Sequence, residues 1–128
     1  KINNVDLSDH VSAVTLTRNF DELEVSAMGD LSHRFVKGLE ASTVMIDFFN
    51  DEATGSVLPT LQAAWGTTVE VKLLQEKGTA VSATNPLYTF NVLVNGTTDI
   101  NGAVGDVGTQ SVTWNVQGAT SVATSGTF

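Results

Sequence analysis

An all-β domain with one short helix, a β-sandwich or partly open barrel of about six to eight antiparallel strands, is the fold that this sequence predicts. Three observations point to it. Apolar and polar residues alternate in segment after segment, a single stretch has helical spacing, and Gly and Asn-Gly pairs punctuate the segments between them.

The elements follow in order. Val14 and Leu16 alternate with Thr15 and Thr17, and Leu23 and Val25 with Glu24 and Ser26, so this first pair reads as a hairpin. Residues 39–51, "LEASTVMIDFFND", place Val44, Ile46 and Phe48 on one face and Thr43, Met45, Asp47 and Phe49 on the other. "SVLPTLQAAWG" is the one helical segment: Ser56 can cap, Pro59 fits the first turn, Leu58, Leu61 and Trp65 share a face, and Gly66 stops it, giving a flanking helix over residues 57–65. Three more alternating runs follow, centred on Val69-Val71-Leu73, Tyr88-Phe90-Val92-Val94 and Val112-Trp114-Val116. Turn signals stand at Lys77-Gly78, Asn95-Gly96, Asn101-Gly102, Gly105 and Gly108. The tail "GATSVATSGTF", rich in Ser, Thr, Gly and Ala, is either a loose end or a strand that orders only against a partner.

With 128 residues, no charge block and no internal repeat, residues 1–128 form one domain large enough for a single core. The absence of Cys removes disulfides, thiolate nucleophiles and Cys-based zinc sites. No apolar run approaches the roughly 20 residues of a membrane span, and "KINNVDLSDH" lacks the apolar stretch of a signal peptide, so the expectation is a soluble protein with no membrane partner. A formal net charge of −8, from fourteen carboxylates against six Lys and Arg, repels phosphate and excludes tight nucleic-acid binding.

Catalytic patterns are weak throughout. Ser, His and Asp are all present but no Gly-x-Ser-x-Gly turn sets up a nucleophile, and His10 and His33 lie in unlike contexts without zinc spacing. Asp21, Glu22 and Glu24 could supply a glycosidase pair, yet adjacent acids on a strand point to opposite faces. Asp99, Asn101 and Asp106 suggest a calcium loop, but no Glu closes it, and the glycines there lack a following Gly-Lys-Ser/Thr. No enzyme activity, cofactor or metal is expected.

One segment stands apart. In "MGDLSHRFVKGLE", Gly29 and Gly38 bracket Leu31, Phe35 and Val36, apolar residues too few and irregular for a core strand, while Asp30, Ser32, His33, Arg34 and Lys37 keep the segment wet. Residues 26–38 read as a long extended loop, and Met28 to Gly38 as an inter-subunit arm whose Phe-Val pair and cations dock on an acidic, partly apolar surface such as another copy of the chain. The alternative is an ordinary solvated hairpin loop.

"VDLSDHVSAVTLTRNFDELEVSAMGD", "HRFVKGLEAS", "SATNPLYTFNVLV" and "GAVGDVGTQSVTW" resemble the small tail tube proteins of long-tailed, non-contractile bacteriophages, with the similarity running over nearly the whole chain. The resemblance implies a structural virion protein, assembled in the host bacterial cytoplasm, whose subunits form hexameric rings that stack into a tail tube. It implies partners that are copies of itself and other tail or head-completion proteins, with genomic DNA passing through unbound. Inner sheets would join into a barrel with an acidic lining, for which Glu22, Glu24, Asp47 and Glu70 are the candidates. The chain is short for such a subunit, so ring-to-ring contacts fall to the termini or the arm. Arg34→Glu with Lys37→Glu is expected to impair assembly and leave the fold intact. A capsid decoration protein, small and β-rich, is the alternative; a monomeric carbohydrate-binding or hydrolytic β-sandwich is a third reading, opposed by Phe20, Phe48, Tyr88, Phe90 and Trp114 at strand positions expected to be core.

Overall fold

Alternation resolves into seven strands in the computed structural model, which describes residues 1–128. They are β1 (Val11–Thr17), β2 (Phe20–Glu24), β3 (Phe35–Glu40), β4 (Thr43–Phe49), β5 (Thr68–Leu74), β6 (Leu87–Leu93) and β7 (Thr109–Ala123), with one helix, α1 (Val57–Ala64), between β4 and β5. Five strands make an antiparallel sheet in the order β1-β4-β7-β6-β5, and β2 and β3 make a separate two-stranded sheet. The fold is all-β and sandwich-like, and its sheet does not close into a barrel, since β1 and β5 remain at the edges.

The first two strands do not form a hairpin with each other. β1 pairs with β4, from Val11↔Phe48 to Thr17↔Thr43, and β2 pairs with β3, from Phe20↔Glu40 to Glu24↔Phe35. A tight hairpin turn needs positive φ, which neither Arg18 nor Asn19 adopts, so the chain runs straight on from β1 into β2. Residues 11–24 and 35–48 are therefore two sides of one long ribbon, joined at its waist where Ala41 N–H donates to Asn19 O at 2.8 Å. Its proximal half lies in the main sheet and its distal half leaves it.

The core forms on one face of the main sheet. Val44, Ile46 and Phe48 of β4 are buried as their alternation requires, with Val112 and Trp114 of β7, Phe90 and Val92 of β6, and Val69 and Val71 of β5. Val57, Leu61 and Ala64 of α1, with Ile2 and Leu7, complete a single cluster. Trp114 also donates its indole N–H to Gly96 O at 3.1 Å, which ties the start of the β6–β7 connection to the core.

Three local expectations change. Trp65 does not share the buried face of Leu58 and Leu61: the helix ends at Ala64, Trp65 adopts an extended ψ of 128°, and its side chain stays exposed while Gly66, at φ 75°, donates its N–H to Val94 O. Ser56 occupies the N-cap position but its hydroxyl donates to Asp51 Oδ2 at 2.8 Å instead of capping a backbone amide. The tail is not a loose end, because β7 pairs with β6 as far as Leu87↔Ala123 and Lys1 Nζ reaches Phe128 O at 2.9 Å. A register shift opposite Thr89 and Asn91, with Gly118 at φ 79°, breaks the alternation there and hides the strand in the sequence.

Candidate functional site

The distal half of the ribbon is the feature that the core does not explain. β2 and β3 carry apolar side chains on both faces: Leu23 stands across from Val36 on one, while Phe35 shares the other with Glu24 and Lys37 with Glu22. Phe20, Leu23, Val25, Phe35 and Val36 are each close to half exposed, and Leu39, Met28 and Leu31 are more so. Phe20, expected in the core, belongs to this exposed set. No layer of the subunit covers either face.

The segment expected as a loop over residues 26–38 is thus shorter, since Phe35, Val36, Lys37 and Gly38 lie in β3. What remains is a tip: Asp30 N–H donates to Ala27 O at 3.0 Å, Asp30 Oδ2 accepts from Ala27 N–H at 2.7 Å, and Gly29 takes φ 101° within this Ala27–Asp30 turn. Val25 N–H to Arg34 O at 2.8 Å continues the ladder toward that turn, and Ser26 Oγ accepts from Arg34 N–H at 2.8 Å. Gly38 is no hinge. A Cβ built on it would lie 2.7 Å from Asp21 O and 3.0 Å from Asp21 Cβ, so glycine is there because the two strands approach too closely for a side chain where the register shifts.

Charges at the arm are arranged locally. Lys37 Nζ lies 5.5 Å from the Phe20 ring centroid, Arg34 is 3.9 Å from Asp30, and the His33 ring meets Glu24. Its cations therefore already have partners within the arm. From Phe20 to Glu40 the segment holds five carboxylates against Arg34 and Lys37, a net charge of −3 with neutral His33. At the base, Glu40 accepts from Ser42 Oγ at 2.9 Å and from Thr120 N–H at 3.4 Å. The Ser42 hydroxyl bond, then the Thr120 amide and nearby Arg18, hold its carboxyl below the usual range. Sequence reasoning missed Glu40, whose role depends on a residue 80 positions away.

The four acidic candidates do not form one group. Glu22 and Glu24 belong to the ribbon, whereas Asp47 and Glu70 lie on the open face of the main sheet, opposite the core. Around Asp47 that face is mixed: Thr17, Thr43 and Asn115 form one row, Thr15, Met45 and Thr113 the next, Ala13, Asp47 and Ser111 a third, and Phe49 and Thr109 a fourth, with Met45 and Phe49 exposed. Glu70 stands across from Asn91 and is 3.4 Å from Lys72 Nζ.

Nothing assembles a nucleophile. His10 Nε2 is 3.0 Å from Asp51 Oδ2, the oxygen that also accepts from Ser56 Oγ, so the serine is bonded to the carboxylate and not to the imidazole that would have to deprotonate it. The Ala53 N–H and Ser56 hydroxyl, with His10, hold the Asp51 carboxyl below its ordinary range, a structural tie between the segment before β1 and the entry to α1. The Asp99–Asp106 region is a Gly-rich connection from β6 to β7, and no three His, Asp or Glu side chains converge as a metal site anywhere in the chain. No helix is long and apolar enough to cross a membrane.

Comparison with protein-family models and with curated protein sequences finds no match to this chain.

Proposed function

We propose that the chain is a structural subunit that assembles with copies of itself into stacked rings, forming the DNA-conducting tail tube of a long-tailed bacteriophage. The observation that carries this reading is the projecting ribbon. A two-stranded ribbon is marginal in water on its own, and one with exposed apolar side chains on both faces suits burial in an assembly. Free edges at β1, β2 and β3 point the same way, since such edges are a hazard in an isolated subunit and a means of joining in a closed ring.

The open face of the main sheet suits the inner wall of a tube. Between the exposed Met45 and Phe49, its Thr, Ser and Asn side chains with sparse Asp47 and Glu70 offer hydrogen bonding to water and weak repulsion of phosphate, and Lys72 on that face is paired with Glu70. No chemistry is required of the subunit.

Negative-stain electron microscopy of the purified protein over a range of concentrations tests the proposal. Hollow tubes or rings with a central channel are the expected result. A persistent monomer or trimer that never closes, and that binds empty capsids, would instead assign the chain to capsid decoration.

A further inference from the structure

Asparagine loses its side-chain amide most readily when glycine follows it, because glycine has no Cβ to keep its backbone nitrogen away from the asparagine Cγ. Of the asparagines in this chain only Asn95 and Asn101 precede a glycine, and both lie exposed on the connection from β6 to β7. Their surroundings differ. Asn101 is held across the base of the loop: its Nδ2 donates to Thr109 O at 3.0 Å, and its backbone O accepts from Thr109 N–H at 3.3 Å. The Asn95 side chain has no hydrogen-bond partner within the chain, and neither has the Gly96 N–H. A shallow polar crevice of about 250 Å³, lined by Asn95 and Gly96 with Thr97, Thr98, Ser111 and Thr113, admits water to them.

We propose that Asn95 is a site of spontaneous deamidation, and that the fold protects Asn101 from the same reaction. This goes beyond the assembly reading and does not depend on it. Hydroxide removes the Gly96 amide proton, the nitrogen attacks Asn95 Cγ, and the new C–N bond closes a cyclic imide as Asn95 Nδ2 leaves as ammonia. Water then adds to one imide carbonyl and opens the ring. Opening at Cγ leaves aspartate at position 95, and opening at the main-chain carbonyl leaves isoaspartate, linked to Gly96 through the side chain. Nothing is oxidised or reduced. At Asn101 the same attack first requires turning the amide off Thr109 O, and the loss of that bond slows it by roughly tenfold. Either product adds a carboxylate to a chain of formal net charge −8. Isoaspartate also lengthens the main chain just before Gly96, whose O accepts the Trp114 indole N–H at 3.1 Å, so the change reaches the core.

Peptide mass spectrometry tests this on the full chain. The folded protein is held in mildly alkaline buffer, sampled over time and digested at acid pH, and the acid fraction at each position is measured. Conversion at Asn95 should outpace that at Asn101 by roughly tenfold, and the difference should vanish in denaturant, where Asn101 has lost its bond to Thr109. Gly96→Ala supplies the control. A Cβ there would meet nothing within 4 Å, and Gly96 is not at positive φ, so the fold is kept while the attacking nitrogen is shielded. Conversion at Asn95 should nearly cease in that variant and continue unchanged at Asn101. No conversion at Asn95, equal or faster conversion at Asn101 in the folded chain, a difference that persists in denaturant, or a wild-type rate in Gly96→Ala would overturn the proposal.

Discussion

Gly38→Ala should unzip the ribbon while leaving the main sheet folded. The new Cβ would lie 2.7 Å from Asp21 O and 3.0 Å from Asp21 Cβ, against an ordinary contact distance that begins near 3.4 Å. Closing that shortfall means parting β2 from β3 by about 0.7 Å against a backbone carbonyl, which cannot rotate away as a flexible side chain would; overpacking of this kind costs about 2 kcal/mol. In the core such a penalty would be shared by many contacts. Here it falls on two strands with no layer above or below them, so it opens the ribbon locally, raising the open population roughly thirtyfold. Hydrogen exchange reads this directly: the amides of Val25 and Ala41, which bond Arg34 O and Asn19 O, should lose protection by about that factor, while those within the β4–β7 ladder keep theirs. Wild-type protection at Val25 in the variant would refute the steric argument, and equal loss in β4 and β7 would refute the claim that the ribbon folds as a separate unit.

Trp114→Ala removes the largest fully buried side chain together with its bond to Gly96 O, and should lower stability by about 3–5 kcal/mol in denaturant titration. Asn85→Ala should loosen residues 76–85 without unfolding the sheet, because Asn85 alone bonds Glu76 N–H, Glu76 O and Thr79 O; proteolytic cleavage within that loop should accelerate. Asp51 has a depressed folded-state pKa, so its contribution is present above the unfolded value of about 3.9 and lost as pH falls through the folded one; Asp51→Asn should flatten the fall of Tm with acid below about pH 4, measured by calorimetry.

The strands were legible where one face is buried inside the subunit. Val44, Ile46 and Phe48 alternate with residues of the open face because β4 lies between β1 and β7 with the core on one side only. Leu23 and Phe20 show the same kind of pattern yet lie half exposed, since alternation records that a side chain wants cover and not which molecule supplies it. Pairing was illegible for a different reason. The partners of β1 and β2 lie on the far side of the tip turn, and local spacing favoured the nearer strand as a mate. Gln110 shows what composition conceals: it is buried, donating to Asn50 Oδ1 at 2.9 Å and accepting from Thr98 N–H at 3.1 Å, although nothing in "GTQSV" separates it from a surface glutamine.

Magnitudes decide what kind of assembly the ribbon can drive. Eight apolar side chains between Phe20 and Leu39 remain largely exposed. At about 1 kcal/mol each, roughly half the value of full burial, covering them yields on the order of 8 kcal/mol. Association and side-chain ordering cost about 4–15 kcal/mol, so a single ribbon covered by a single neighbour leaves little surplus. Two subunits alone should therefore not form a durable dimer. Closing a ring changes the balance, because the last subunit makes two contacts for one loss of free motion, and a second ring adds further contacts to subunits already held in place. Assembly should then be steep in concentration, passing from monomer to closed rings or tubes with little dimer between them. Sedimentation velocity across the transition measures this, and a dominant dimer over a wide concentration range would show that the ribbon's apolar surface is satisfied pairwise.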